Sequence, residues 1–160
     1  MGIARGAARL LLDESVRRPM SGAILQLGRQ NIYFTIHELE KWASWHGVSL
    51  FKTRPLKSNI DFLKERNCMD DNTFFTALGF SSVESCDASD CEGATHIFDL
   101  NQPVPSSYYK KYDVILDSGT TEHIFHLPQV FINIHKMLKI QGRVIHISPS
   151  SNHVDHGFYM

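Results

Sequence analysis

Residues 112–148 read YDVILDSGTTEHIFHLPQVFINIHKMLKIQGRVIHIS. The run from Tyr112 to Asp117 is short, apolar and rich in β-formers, and it ends in an acid and the turn-like SGTT. A strand buried on both faces has this pattern. Leu127, Val130, Phe131, Ile134 and Leu138 then recur at helical spacing, with Pro128 suited to a first turn. Lys136 and Lys139 fall in the last turn, where cations favour the helix dipole. Gln141 and Gly142 close the helix, and residues 143–148 (RVIHIS) read as the next strand. Strand, helix and strand with short links make a βαβ unit, which is parallel and right-handed.

The same grammar extends upstream. Residues 23–27 (AILQL) form a short apolar strand, and residues 82–86 and 96–100 read as two more, with the polar loop DASDCEGAT between them. Residues 71–78 read as a helix capped by Asp70 or Asp71 and stopped by Gly79. Residues 1–21 are expected to hold an N-terminal helix, and residues 37–45 another. Five strands separated mostly by helices predict an α/β fold: a doubly wound, mostly parallel sheet in a single domain over residues 1–160. Residues 31–69 do not follow the pattern and read as an insertion over the surface.

Composition narrows the class. The 160 residues are 42% hydrophobic, which suits a globular domain with a real core. No stretch approaches the ~20 apolar residues of a membrane span, so no membrane association is expected. The apolar run near the start is too short for a signal peptide, and Gly6 stands where a myristoylation signal needs Ser or Thr. Residues 1–67 carry 11 Lys/Arg against 6 Asp/Glu, and residues 68–160 carry 5 against 11. The basic half has no dense cationic run, so no nucleic-acid partner is expected. Three cysteines, Cys68, Cys86 and Cys91, without a C-x-x-C pair, suit a reducing cytoplasm.

In an open parallel sheet, ligands bind at the carboxyl ends of the strands. Here the first strand ends at Gln26, Leu27 and Gly28, the second at Asp87, the third at Asp99, and the fourth at Asp117, Ser118 and Gly119. A carboxylate at the second position can accept from both hydroxyls of a ribose, and one a strand further on from an exocyclic amine. Asp residues also begin turns at strand ends without any ligand.

THIFDLNQPVP (residues 95–105) and the stretch quoted above resemble the class I S-adenosylmethionine-dependent methyltransferases. In that family the fourth strand ends in an acid or small polar residue, a Glu-His pair often opens the next helix, and a Leu-Lys-x-Gly-Gly turn leads into the fifth strand. Here that turn is Leu138-Lys139-Ile140-Gln141-Gly142, one glycine short. The resemblance spans residues 82–152 and touches residues 22–30. It implies a Rossmann-like sheet of strand order 3-2-1-4-5, S-adenosylmethionine as cofactor and methyl transfer to an unidentified acceptor. It further implies that Asp87 holds the ribose, Asp99 the adenine amine, and that Leu100 packs on the base, with Asp117 and Ser118 at the same edge.

The first strand departs from the family. Gln26 stands where an acid is usual, Gly28 is the only glycine of a three-glycine loop, and Arg29 and Gln30 replace small residues. The reading adopted is a diverged cofactor loop with Gln26 and Gly28 as contacts. The alternatives are a non-catalytic binding or scaffolding module and a nicotinamide-dependent oxidoreductase. His123, His126, His153 and His156 fall near the ligand edge. They admit a general base, a metal cluster or solvated side chains; His123 is the candidate base, and no metal centre is predicted. Trp42, Trp45, Phe51 and Phe62 read as a satellite core rather than an acceptor pocket, the alternative for residues 31–69. The chain is also expected to lack the family's C-terminal strands, which leaves residues 143–148 as an edge for homo-oligomer formation.

Overall fold

The structure, a computed structural model, describes residues 2–148 and 156–159, so His153 lies outside the described residues. In chain order the elements are β1 (Gly2–Ile3), α1 (Arg5–Arg17), β2 (Gly22–Leu27), β3 (Asn31–Ile32), α2 (Ile36–His46) and α3 (Asp61–Glu65). There follow α4 (Asp71–Leu78), β4 (Phe80–Asp87), β5 (His96–Ile97), β6 (Tyr112–Asp117), α5 (Leu127–Met137) and β7 (Leu138–His146). Two 3-10 turns sit at Ser106–Tyr108 and Thr121–His123.

Five strands form one parallel sheet in the order β5-β4-β2-β6-β7. Counted along the chain this is 3-2-1-4-5, with the order reversing at β2. The fold is therefore α/β, a Rossmann-like doubly wound sheet, as the sequence predicts. Register fixes its carboxyl edge: Leu27 pairs with Asp117, and Asp117 with His146. On the other side Cys86 pairs with His96 and Asp87 with Ile97.

The chain packs as two compact units. The first comprises Ala23–Arg29 and Glu84–Met160. Its core joins Leu25 and Leu27 of β2, Cys86 of β4 and Tyr112 and Ile115 of β6 to Val130, Ile134 and Met137 of α5. The helical spacing of those last three residues is what turns one face of α5 inward, and each such side chain contributes roughly 1.5–3 kcal/mol on burial. The second unit comprises Gly2–Gly22 and Gln30–Val83. Phe34 is fully buried there, its ring 5.2 Å from Trp42 and 5.3 Å from Phe74. Trp42 thus belongs to a core, whereas Trp45, Phe51 and Phe62 are exposed. Thr35 and Glu38 close a capping box at the start of α2, Asp70 caps α4, and Gly79 ends α4 at φ 117°, where only glycine is comfortable.

Several boundaries differ from the sequence reading. The N-terminal helix occupies Arg5–Arg17 rather than all of residues 1–21. The third strand shrinks from residues 96–100 to His96–Ile97, because Asp99 turns the chain by accepting the Asn101 N–H at 2.8 Å. Helix α5 stops at Met137, not at Gly142: Leu138 already pairs with Tyr112 in the sheet, and residues 139–142 bulge out before Arg143 pairs with Val114. Gln141 reaches φ 64° within that bulge, and Lys139 leaves the helix to pair with Asp113 at 2.7 Å.

Candidate functional site

The carboxyl edge of the sheet gathers the residues singled out from sequence, all within the first unit. Gln26 is fully buried on β2, paired in register with Leu116. The chain then turns at Gly28, whose φ of 70° is left-handed and whose N–H donates to the Cys86 carbonyl at 2.8 Å. A side chain at this position would meet strain from the backbone conformation itself. Arg29 swings into the loop after β4, where its Nη1 donates to the carbonyls of Gly93 at 3.2 Å and Glu92 at 3.5 Å.

The acids have different surroundings. Asp87 ends β4 half-buried, and its Oδ1 accepts the Ser89 N–H at 3.2 Å. Asp99 is exposed and uses Oδ1 for both the N–H and the side-chain amide of Asn101. Leu100, by contrast, is buried in the core of the unit, and its carbonyl accepts from Asn133 Nδ2 at 3.0 Å. Its side chain serves packing rather than an open face for a base. Cys86, also buried, has its thiol pushed up to about 12 by burial and by the Asp87 charge, which makes it an inert core thiol.

Asp117 is fully buried and wholly engaged by the chain. Its Oδ1 accepts the N–H groups of Thr120 and Thr121 at 3.0 and 3.2 Å, and its Oδ2 accepts Thr121 Oγ1 at 2.5 Å and His146 Nδ1 at 2.9 Å. Burial alone would raise this carboxyl, but the bonds from His146, Thr121 and the two backbone groups outweigh it and hold it below the usual range. Asp117 therefore orders the loop after β6 rather than offering a free acceptor to a ligand, with buried Ser118 and the Thr120 hydroxyl, bonded to the Leu27 carbonyl, locking the same turn.

That turn delivers a residue the sequence reading did not place in the site. Glu122, in the 3-10 turn Thr121–His123, has a side chain only 2% exposed, and among the described residues neither carboxylate oxygen has a hydrogen-bond partner. Its Oε1 lies 3.9 Å from His123 Nε2 and 4.0 Å from His156 Nε2. These three residues each bring one ligand atom within 4.8 Å of the others, a set able to hold a metal ion. His126 is exposed and donates its backbone N–H to Asn101, outside this group. A cavity of about 300 Å³ lies alongside, lined by Thr121, Glu122, Leu127, Phe131, His146 and Tyr159 among others.

A second unforeseen group sits mid-sheet. Glu84 of β4 accepts with one oxygen, Oε2, from His96 Nε2 at 2.6 Å, Lys111 Nζ at 2.9 Å and Tyr112 Oη at 2.8 Å. Tyr108 Oη in turn meets His96 Nδ1 at 3.2 Å. Burial would raise Glu84, yet these three donors hold it down to about 2, while burial and the neighbouring Glu84 charge push Tyr112 well up. This network ties β4, β5 and β6 together.

Compared with known proteins, the chain matches no protein-family model and no curated sequence. Among the described residues no helix is long and apolar enough to cross a membrane.

Proposed function

We propose that the chain is an S-adenosylmethionine-dependent methyltransferase acting on an unidentified acceptor. The observation that carries this reading is the switch point of the sheet, where the left-handed Gly28 directly after β2 is bonded to β4, one residue short of the Asp87 carboxylate. Where strand order reverses, a crevice opens for a ligand, and an acid at the end of the neighbouring strand suits ribose hydroxyls. The residues fit such a group. Asp87 has an oxygen beyond the one given to Ser89, exposed Asp99 lies at the end of the next segment, and the Arg29 cation is held by loop carbonyls. When bound, the cofactor would supply an activated methyl group. The chain's part is to bind and orient, since in-line displacement depends chiefly on alignment of the reacting atoms. Cys68, Cys86 and Cys91 are free thiols, which supports a cytoplasmic setting. The exposed Val144 and Ile140 on β7, the last strand of the sheet, support a homo-oligomer through that edge.

The buried Gln26 and the lone glycine of the loop favour one rival, a non-catalytic scaffold with the same fold. Calorimetry of the purified chain with S-adenosylmethionine, S-adenosylhomocysteine and NAD separates the readings. Heat with the first two alone is expected, and Asp87→Ala should weaken that binding by about 1.5–3 kcal/mol, the range for a hydrogen bond to a charged group. Silence with all three compounds refutes the enzyme reading in favour of the scaffold, and heat with NAD alone points to an oxidoreductase.

A further inference from the structure

The turn after β6 contains an electrostatic anomaly. Glu122 is a carboxylate whose side chain is 2% exposed, with both oxygens lacking a hydrogen-bond partner among the described residues. Buried polar groups are nearly always bonded, and an unbonded buried charge is among the costliest arrangements in a protein. The charge calls for a cation, and the groups facing it are two imidazoles at 3.9 and 4.0 Å, beyond hydrogen-bond reach.

The backbone is built to hold that arrangement. His156 arrives from a segment latched onto the same turn: Phe158 N–H donates to the Glu122 carbonyl at 2.6 Å, and Tyr159 Oη donates to the Phe125 carbonyl at 2.6 Å. The Phe125 and Phe158 rings meet edge to face at 5.7 Å. Between them stands Gly157, where an added Cβ would lie 2.6 Å from the Glu122 carbonyl oxygen. The close approach that sets His156 beside Glu122 is thus available only to glycine.

We propose that Glu122, His123 and His156 form a binding site for one divalent transition-metal ion of the zinc type. Two imidazoles and one carboxylate make a ligand set common for such ions, and soft thiolates are absent from it. In a tetrahedral site with bonds of about 2.0–2.1 Å, ligand atoms stand roughly 3.3 Å apart. The observed 3.9 and 4.0 Å need to close by roughly 0.6 Å, and the His123 and His156 side chains are 44% and 47% exposed. Three protein ligands leave a coordination position for water or a small oxygen ligand, and Glu122 also lines the neighbouring cavity of about 300 Å³. His123 is then a ligand rather than a general base. The site stands independently of the cofactor reading above.

The test uses the purified whole chain, stripped with EDTA, and titrated calorimetrically with Zn²⁺ and spectroscopically with Co²⁺. One equivalent of either ion should bind, with Co²⁺ giving visible d–d bands. Glu122→Gln and His156→Ala should each lower affinity by more than about tenfold, the least that loss of even an outer-shell partner costs. His37→Ala, removing an imidazole 95% exposed on α2, should change nothing. Glu122→Gln carries a second readout: it removes the unbonded charge, so in EDTA it should melt no lower than the parent, yet show no rise in melting temperature with Zn²⁺. Should either variant fail to fold by circular dichroism, His123→Ala replaces it, with the same loss expected. Absence of saturable binding, or binding that survives these substitutions, overturns the site.

Discussion

Replacing Glu84 by Gln isolates the network that ties β4, β5 and β6. The Glu84 carboxylate is 17% exposed and takes three donors on one oxygen. A carboxyl that ordinarily titrates at 4.5 and is held down to about 2 in the folded chain favours folding near neutral pH. At roughly 1.4 kcal/mol per tenfold change in proton affinity, this amounts to about 3 kcal/mol. Because the folded value is the lower one, the contribution is fully present above pH 4.5 and fades as pH falls towards 2. About 2 kcal/mol of it should be gone by pH 3. Gln keeps the shape and one acceptor oxygen but no charge, so urea denaturation should show a variant about 2–3 kcal/mol less stable at pH 7. The gap should narrow sharply between pH 5 and pH 3, as the parent alone loses stability through this group. A stability difference that stays constant over that interval would refute the assignment of the linkage to Glu84, because a mere packing defect does not titrate.

Three further outcomes follow from the same geometry. Asp117→Ala strands the Thr121 hydroxyl and two backbone donors, so it should cost at least about 3 kcal/mol in urea denaturation at pH 7. As the folded Asp117 carboxyl titrates below its usual range, the parent should lose this advantage as pH falls below about 4. Gly79→Ala forces a side chain at φ 117° whose Cβ would sit 2.6 Å from the Met20 carbonyl oxygen, and the melting temperature should fall by an amount worth more than about 1 kcal/mol. Arg29→Ala should leave S-adenosylmethionine affinity within about threefold, because the guanidinium is engaged by loop carbonyls and its charge is screened; a large gain in calorimetric affinity would show that Arg29 opposes the cofactor.

The sheet was legible where burial is dictated by local sequence. YDVILD and AILQL are largely apolar runs, as strands covered on both faces are, and their type follows from that pattern, whereas the strand order came with the family resemblance. The end of α5 was not legible, since helical spacing continues through Leu138 while the backbone there is claimed by pairing with Tyr112, a contact that periodicity does not contain. Asp87 ends β4, as the rule for strand ends has it, whereas Asp99 falls two residues past β5, and that rule could not show that Asp117 would be consumed by its own loop. Glu122 left one trace, the Glu-His pair, which the resemblance noted without a role. Its burial depends on a segment more than thirty residues later folding back onto its carbonyl, and no local pattern encodes that. Glu84 was hidden for a similar reason: its donors come from β5, from Lys111 and from β6, so a lone acid within FSSVESCD gave no hint of three partners.

The acids along the carboxyl edge divide its chemistry into two halves. On the β4 and β5 side, Asp87 and Asp99 each satisfy local turns with one oxygen and sit where solvent reaches them, which is the condition for accepting hydroxyl or amine donors from a ligand. On the β6 and β7 side, Asp117 is saturated and cannot accept more, while Glu122, one turn later, accepts nothing at all. Saturating Asp117 fixes the backbone of residues 120 and 121 and so fixes the direction from which Glu122 leaves the chain. A rigid turn is what allows an unbonded carboxylate to stay buried, because a mobile one would rotate out to water. An unbonded buried charge is relieved by a hydrogen-bond donor or a cation, and the imidazoles of His123 and His156 stand 3.9 and 4.0 Å from it. Under the two proposals above, hydroxyl recognition and cation binding would fall to opposite sides of the switch point, and each could be removed by substitution without disturbing the acids of the other.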